Sequence, residues 1–126
     1  MKAVSIVTPG KIEIIELPDP TPSSTEVVVE VAAVGICGTD LHIFEGEFAP
    51  TFPIVPGHEM TGTIVAIGKD VTEVKIGDPV AIDPSVHCGE CFYCRRARGN
   101  LCENWNALGV SMPGAAAQFL LSPKKN

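Results

Sequence analysis

Residues 26 to 34 read Glu26-Val27-Val28-Val29-Glu30-Val31-Ala32-Ala33-Val34. Val27, Val29, Val31 and Ala33 alternate with Glu26, Val28, Glu30 and Ala32, so one face of an extended chain is apolar and the other mixed. This is the clearest strand in the sequence. It runs into a segment dense in reactive side chains, Gly35-Ile36-Cys37-Gly38-Thr39-Asp40-Leu41-His42, which is followed later by Gly57-His58-Glu59. Cys37 and His58 offer a thiol and an imidazole of the kind that ligate zinc, and each stands beside a glycine that permits close approach. If the segment from 35 to 46 opens as a short helix, Thr39 and His42 share one face, as a proton relay requires. On residue types alone, a buried cysteine with two unremarkable histidines fits equally well.

The rest of the composition agrees with a mainly β domain. A chain of 126 residues suits one domain with a usable core, and 45% apolar against 19% charged residues makes it globular. Eleven prolines and twelve glycines imply many turns and disfavour a helical bundle. A net charge of −6 disfavours a surface that tracks phosphates, so nucleic acid is not an expected partner. The amino terminus opens directly into a strand pattern and no apolar stretch is long enough to span a bilayer, so a soluble, cytoplasmic protein without a membrane role is expected.

Outward from the central strand, residues 2–8 and 11–17 read as a hairpin around Pro9-Gly10. Pro18, Pro20 and Pro22, with Ser23 and Ser24, make a stiff loop. Pro50 to Pro56 form a second loop that delivers the chain to His58. Residues 60–67 are β-rich and end at the turn Gly68-Lys69-Asp70, and a further strand is expected over Val80 to Asp83, with Pro79 tolerable at its start. No internal repeat or low-complexity tract interrupts the chain.

A second constellation is Cys88, Cys91, Cys94 and Cys102, spaced C-x2-C-x2-C-x7-C. Four thiolates this close repel one another unless a cation holds them, and a tetrahedral set of four sulfurs is what a closed zinc site favours. An iron–sulfur cluster is the main rival; the seven-residue last gap and the absence of a proline after Cys102 weigh against it. Disulfides are disfavoured in a reducing compartment. His87 could compete as a ligand, although a loop histidine is the simpler reading, and Arg95, Arg96 and Arg98 read as a solvated loop face.

Taken together, Cys37-Gly38-Thr39-Asp40-Leu41-His42, Gly57-His58-Glu59 and the four cysteines resemble the catalytic domain of zinc-dependent medium-chain alcohol and polyol dehydrogenases. Val74-Lys75-Ile76-Gly77-Asp78 and Phe119-Leu120-Leu121-Ser122-Pro123 extend the resemblance to nearly the whole chain. It implies a GroES-like, partly open β-barrel with a few short helices. It further implies that Cys37, His58 and, in some states, Glu59 ligate a catalytic zinc, while Asp40 orients His58. Thr39 would accept the substrate proton and His42 pass it to solvent. The four cysteines would form a structural zinc lobe over about 86–104. The reaction so implied is oxidation of a zinc-bound small alcohol or polyol by hydride transfer to NAD or NADP, in an enzyme that is a homo-oligomer at full length.

The sequence departs from that pattern in places. No G-x-G-x-x-G occurs, so residues 1–126 are expected to be the catalytic domain alone, without a dinucleotide-binding Rossmann domain, and inactive in isolation. Pro79 stands where a basic residue is usual, and Ala116, Ala117, Gln118 and Phe119 replace a more aromatic and acidic run. A non-enzymatic zinc-stabilised β-module is the alternative. It would need only the four cysteines, whereas this chain also keeps Cys37, Thr39 and His58.

Overall fold

The turn at Pro9-Gly10 reverses the chain as expected, because Gly10 takes a φ of 76°, a left-handed conformation that costs glycine little. The strands it joins are β1 (Lys2–Thr8) and β2 (Lys11–Glu16), paired antiparallel. The structure, a computed structural model, describes residues 1–47 and 50–126. Beyond the hairpin follow β3 (Glu26–Gly35), helix α1 (Gly38–Glu45), β4 (Glu59–Ile67) and β5 (Pro79–Ile82). Two-residue strands β6 (Ser85–Val86) and β7 (Asn106–Ala107) flank the cysteine segment, and β8 (Phe119–Pro123) comes last. Among the described residues, no helix is long and apolar enough to cross a membrane.

Strand β3 is the centre of the architecture. It pairs antiparallel with β4 on one side and β8 on the other, and β5 adds beyond β4, giving the order β5-β4-β3-β8. The hairpin joins the segments that lead into this sheet through bridges from Ala3 to Ala117, just before β8, and from Ile6 to Ile54, before β4, which gives the partly open barrel. The strict alternation expected of β3 holds only in part: Val27, Val28 and Val29 are all buried, whereas Ala33 is exposed. Irregularities in the pairing with β4, between Val28 and Val29 and between Val31 and Ala33, reset which side faces inward. Strand β5 begins at Pro79 and ends at Ile82, one residue earlier than the sequence suggested, and β4 begins at Glu59.

Three apolar clusters form the core. Val27, Val29, Ile64 and Val71 fill one side of the sheet, and Met60, Leu108, Ala115 and Leu120 another. Ile6, Ile43, Ile54, Ala107 and Val110 make the third. This last cluster ties α1 to the barrel through Ile43, the one fully buried residue of the helix; burial of such a side chain contributes about 1.5–3 kcal/mol.

The backbone on either side of His58 is gripped by the segment that follows β7. Gly114 N–H donates to the Val55 carbonyl at 2.8 Å, Ala115 N–H to Gly57 at 2.9 Å and Ala116 N–H to Pro56 at 2.9 Å. Gly109, with a φ of 77°, approaches so closely that an added Cβ would fall 2.9 Å from the His58 nitrogen and closer still to the Gly57 carbonyl. Gly109→Ala should therefore destabilise the chain by about 2–3 kcal/mol through left-handed strain and overlap. Calorimetry should show a fall in Tm on the order of 10 °C. An unchanged Tm would mean that the close approach is not needed.

Candidate metal centres

Helix α1 starts at Cys37 because that residue caps it. The Cys37 sulfur accepts a hydrogen bond from Thr39 N–H at 3.3 Å, and Asp40 Oδ2 reaches back to accept from Cys37 N–H at 3.0 Å, a reciprocal capping box with a thiol in the place usually held by a hydroxyl. The helix ends at Gly46, whose φ of 80° lets its N–H reach the His42 and Ile43 carbonyls. A capping role for cysteine was not anticipated from the sequence, since Cys lies outside the usual set of N-cap residues.

The register of the central strands brings the ligand candidates together. Gly35, two residues before Cys37, pairs with Glu59, one residue after His58. Cys37 Sγ and His58 Nε2 consequently meet at 3.1 Å. Glu59, itself exposed, also presents a carboxylate oxygen within 4.8 Å of the other two ligand atoms. Its carboxylate lies over Gly35, where any Cβ would collide with it.

Asp40 has a second contact besides the cap. Its Oδ1 stands 3.6 Å from His58 Nδ1, and both atoms are buried without a hydrogen-bond partner among the described residues. Such orphans are costly to leave unpaired. A cation on Nε2 would fix the proton on Nδ1, facing Asp40, which is the outer partner a metal-bound imidazole normally has. The soft thiolate, the imidazole and the carboxylate form a donor set that suits zinc.

Thr39 and His58 also line a cavity of about 230 Å³, together with Pro84, Trp105, Ala107 and Val110. His42 follows one turn along α1 at the surface, its Nδ1 2.7 Å from Glu47 Oε2. Neither Trp105 nor Glu47 was anticipated from the sequence. A larger apolar hollow of about 930 Å³ lies against Leu41 and Phe44 of α1, but its lining includes neither Thr39 nor His58.

The four cysteines of the lobe converge as their spacing suggested, with all four sulfurs within 4.8 Å of one another. Cys88 Sγ is 3.5 Å from Cys102 Sγ and 3.9 Å from Cys94 Sγ. The lobe's regular structure is two single 3-10 turns, Cys94–Arg96 and Gly99–Leu101, the second ending at Cys102, and none of the five cysteines is in a disulfide. Backbone N–H groups, that of Cys94 first, hold the Cys91 thiol down at about 6; backbone donors from Glu90 and Cys91 also lower Cys88. Desolvation, with the neighbouring thiols, pushes Cys94 up to about 12. His87 is outside this set and packs its ring over Gly99. Arg95, Arg96 and Arg98 are exposed, and Arg96 stacks on Phe92 at 3.7 Å.

The model of the alcohol dehydrogenase GroES-like domain matches residues 23–126 of this chain. The chain belongs to the zinc-type alcohol dehydrogenase family. This GroES-like domain is 42% identical, over 132 aligned positions, to an L-threonine 3-dehydrogenase of Saccharopolyspora erythraea, an alignment that covers 100% of the chain and 38% of that protein. Its structure superposes with a TM-score of 0.95 on RspB, an alcohol dehydrogenase of Escherichia coli CFT073 complexed with NADH, at 41% identity over 100% of this chain and 37% of the other. A cobalt- and zinc-bound thermostable alcohol dehydrogenase of Pyrobaculum aerophilum gives a TM-score of 0.93 at 30% identity, over 100% and 40% respectively. The GroES-like domain thus spans well under half the length of these relatives.

Proposed function

We propose that this chain is the catalytic, metal-holding domain of an NAD(P)-dependent dehydrogenase acting on small alcohols or polyols. The observation that carries the reading is the convergence of Cys37 Sγ and His58 Nε2 at 3.1 Å beside a cavity that Thr39 lines. Cys37, His58 and Glu59 would hold a catalytic zinc, and Cys88, Cys91, Cys94 and Cys102 a structural one. When bound, zinc supplies a Lewis-acid charge that makes an alcohol hydroxyl more acidic, and the nicotinamide supplies the hydride acceptor.

The remaining work falls to the chain's own side chains. Asp40 holds the imidazole of His58 in one orientation while its other oxygen fixes the start of α1. The Thr39 hydroxyl, at the cavity, takes the substrate proton. His42, exposed one turn along the helix and bonded to Glu47, hands that proton to solvent. Pro84, Trp105 and Val110 give the cavity its apolar lining.

Residues 1–126 make up one domain in this reading, and a dinucleotide-binding domain belongs to the additional length that the relatives possess. A cytoplasmic homo-oligomer goes with it, since a reducing compartment keeps the unpaired thiols available to metal. At the length of its relatives and loaded with zinc, the protein should reduce NAD or NADP when given small alcohols or polyols, and a zinc chelator should stop it. The 126-residue chain should bind neither nucleotide in calorimetry. A zinc-loaded, nucleotide-binding protein that oxidises no alcohol or polyol would sink the proposal.

A further inference from the structure

Two glycines stand close to Cys37, and only one of them is crowded. A Cβ added at Gly38 would meet open space, whereas one added at Gly35 would overlap the Glu59 carboxylate and stand 3.0 Å from the Glu59 Cβ. Side chains directly opposite in an antiparallel pair keep their Cβ atoms about 4.5–5.5 Å apart. At the pairing of Gly35 with Glu59 the strands therefore leave room for a single side chain. Backbone conformation does not call for this glycine. Gly35 ends β3 and is not among the glycines of positive φ, and a glycine in a strand has no side chain to pack.

The Glu59 carboxylate uses the space left empty. An exposed glutamate has much rotamer freedom to lose, yet an oxygen of this one lies within 4.8 Å of both Cys37 Sγ and His58 Nε2. Asp40 does not take that place, because one of its oxygens accepts from Cys37 N–H and the other faces His58 Nδ1. Among the described residues, no other His, Cys, Asp or Glu side chain joins Cys37 and His58 there. Glu59 is thus the chain's own third donor, and it arrives across Gly35.

We propose that Gly35 is a positioning residue of the open metal site: its missing side chain lets the Glu59 carboxylate lie across the end of β3, on the side of Cys37 and His58, as a third ligand. This rests on the dehydrogenase reading above only in taking Cys37 and His58 as a metal site. A methyl at position 35 fills the place of the carboxylate. What it meets first is the far end of a flexible, exposed side chain, so the carboxylate swings out into water and leaves the other two ligands behind.

Cobalt titration of the 126-residue chain tests this, with zinc first bound to the cysteine lobe. Cobalt binds such donors less tightly than zinc and does not displace it, and its thiolate absorption reports Cys37. Gly35→Ala and Glu59→Ala should each weaken cobalt binding about tenfold or more, and the two changes together should be no worse than Glu59→Ala alone. Unchanged affinity in Gly35→Ala overturns the proposal. So does an equal loss from the methyl in the Glu59→Ala background, which would mean that it acts through the strands and not through the carboxylate. Glu59→Asp keeps Gly35 and decides the matter for a Gly35→Ala chain that fails to fold. One methylene shorter, its carboxylate falls short across β3, and cobalt affinity should drop as in Glu59→Ala; the parent affinity in Glu59→Asp would refute the role of Gly35. A parent chain with no cobalt band, or with one that survives Cys37→Ala, refutes the metal site and the role of Gly35 with it. A Cys37-dependent band that ignores position 35 refutes only the latter.

Discussion

A Cys94→Ser chain should carry one zinc fewer than the parent and melt on the order of 15 °C lower. That figure follows from linkage: free zinc at about a thousand times its Kd stabilises the folded state by about 4 kcal/mol, and a domain of this size loses several degrees for each of them. Such dependence is expected because residues 88–102 have almost nothing else to hold them. None of their side chains belongs to the three apolar clusters of the described residues, and their regular structure is limited to two single turns. The sulfurs are also unequally ready for metal. Cys91 is held near 6 by backbone donors and is largely thiolate at neutral pH, while Cys94 is pushed up to about 12 and gives up its proton only to a cation. Removing Cys94 thus takes away the sulfur whose ionisation depends most on metal. Metal analysis and calorimetry on the purified chain, which should be colourless if the metal is zinc, provide the check. Full metal content with an unchanged Tm would mean that the four cysteines are not a structural site.

The second large effect is expected at Thr39. In the protein at the length of its relatives, Thr39→Ala should lower kcat by about 10²–10⁴ while leaving metal content unchanged, because a positioned proton acceptor contributes about that much. Thr39→Ser should restore most of the rate. The separation from a folding defect is favourable: Cys37 caps α1 by accepting the Thr39 backbone N–H, which the substitution keeps, and Thr39 lines the cavity. His42→Ala should be milder, since water can replace an exposed imidazole whose next partner is the exposed Glu47. Steady-state rates across pH, with metal analysis alongside, decide the matter. A Thr39→Ala enzyme at full speed would show that the substrate proton leaves by another path.

The elements legible in the sequence were those whose signal is local. The hairpin over 2–16 followed from Pro9-Gly10, and β3 from its valines, because turn chemistry and period-two burial act within a few residues. The four-cysteine spacing needed no fold to be read. What escaped depends on contacts across the chain. Strands β6 and β7 are two residues each, too short for any periodicity, and they exist because Pro84 and the segment after Trp105 are brought side by side. Burial of Val28 reflects a shift in the pairing with β4 rather than anything in residues 26–34. Cys37 and His58 can be named as ligand types from the residues and as partners from the family resemblance, but the physical cause of their meeting, the pairing of Gly35 with Glu59, is a long-range contact that the sequence does not display. Trp105 had no sequence signal at all, since its role comes from the cavity it faces.

That pairing of Gly35 with Glu59 also divides the chain into parts that can drift and parts that cannot. The two sulfur- and nitrogen-bearing residues are 21 positions apart in sequence, but their meeting is set by ladder hydrogen bonds immediately beside each of them and not by the length of what lies between. Doubling a connector costs only about 0.6 kcal/mol in closure entropy. One residue inserted between Gly35 and Cys37, or between His58 and Glu59, would shift a ligand relative to the paired strands that position it. A lineage descended from this domain can therefore lengthen a connector between these strands, while the two-residue step from Gly35 to Cys37 and the direct link of His58 to Glu59 stay fixed.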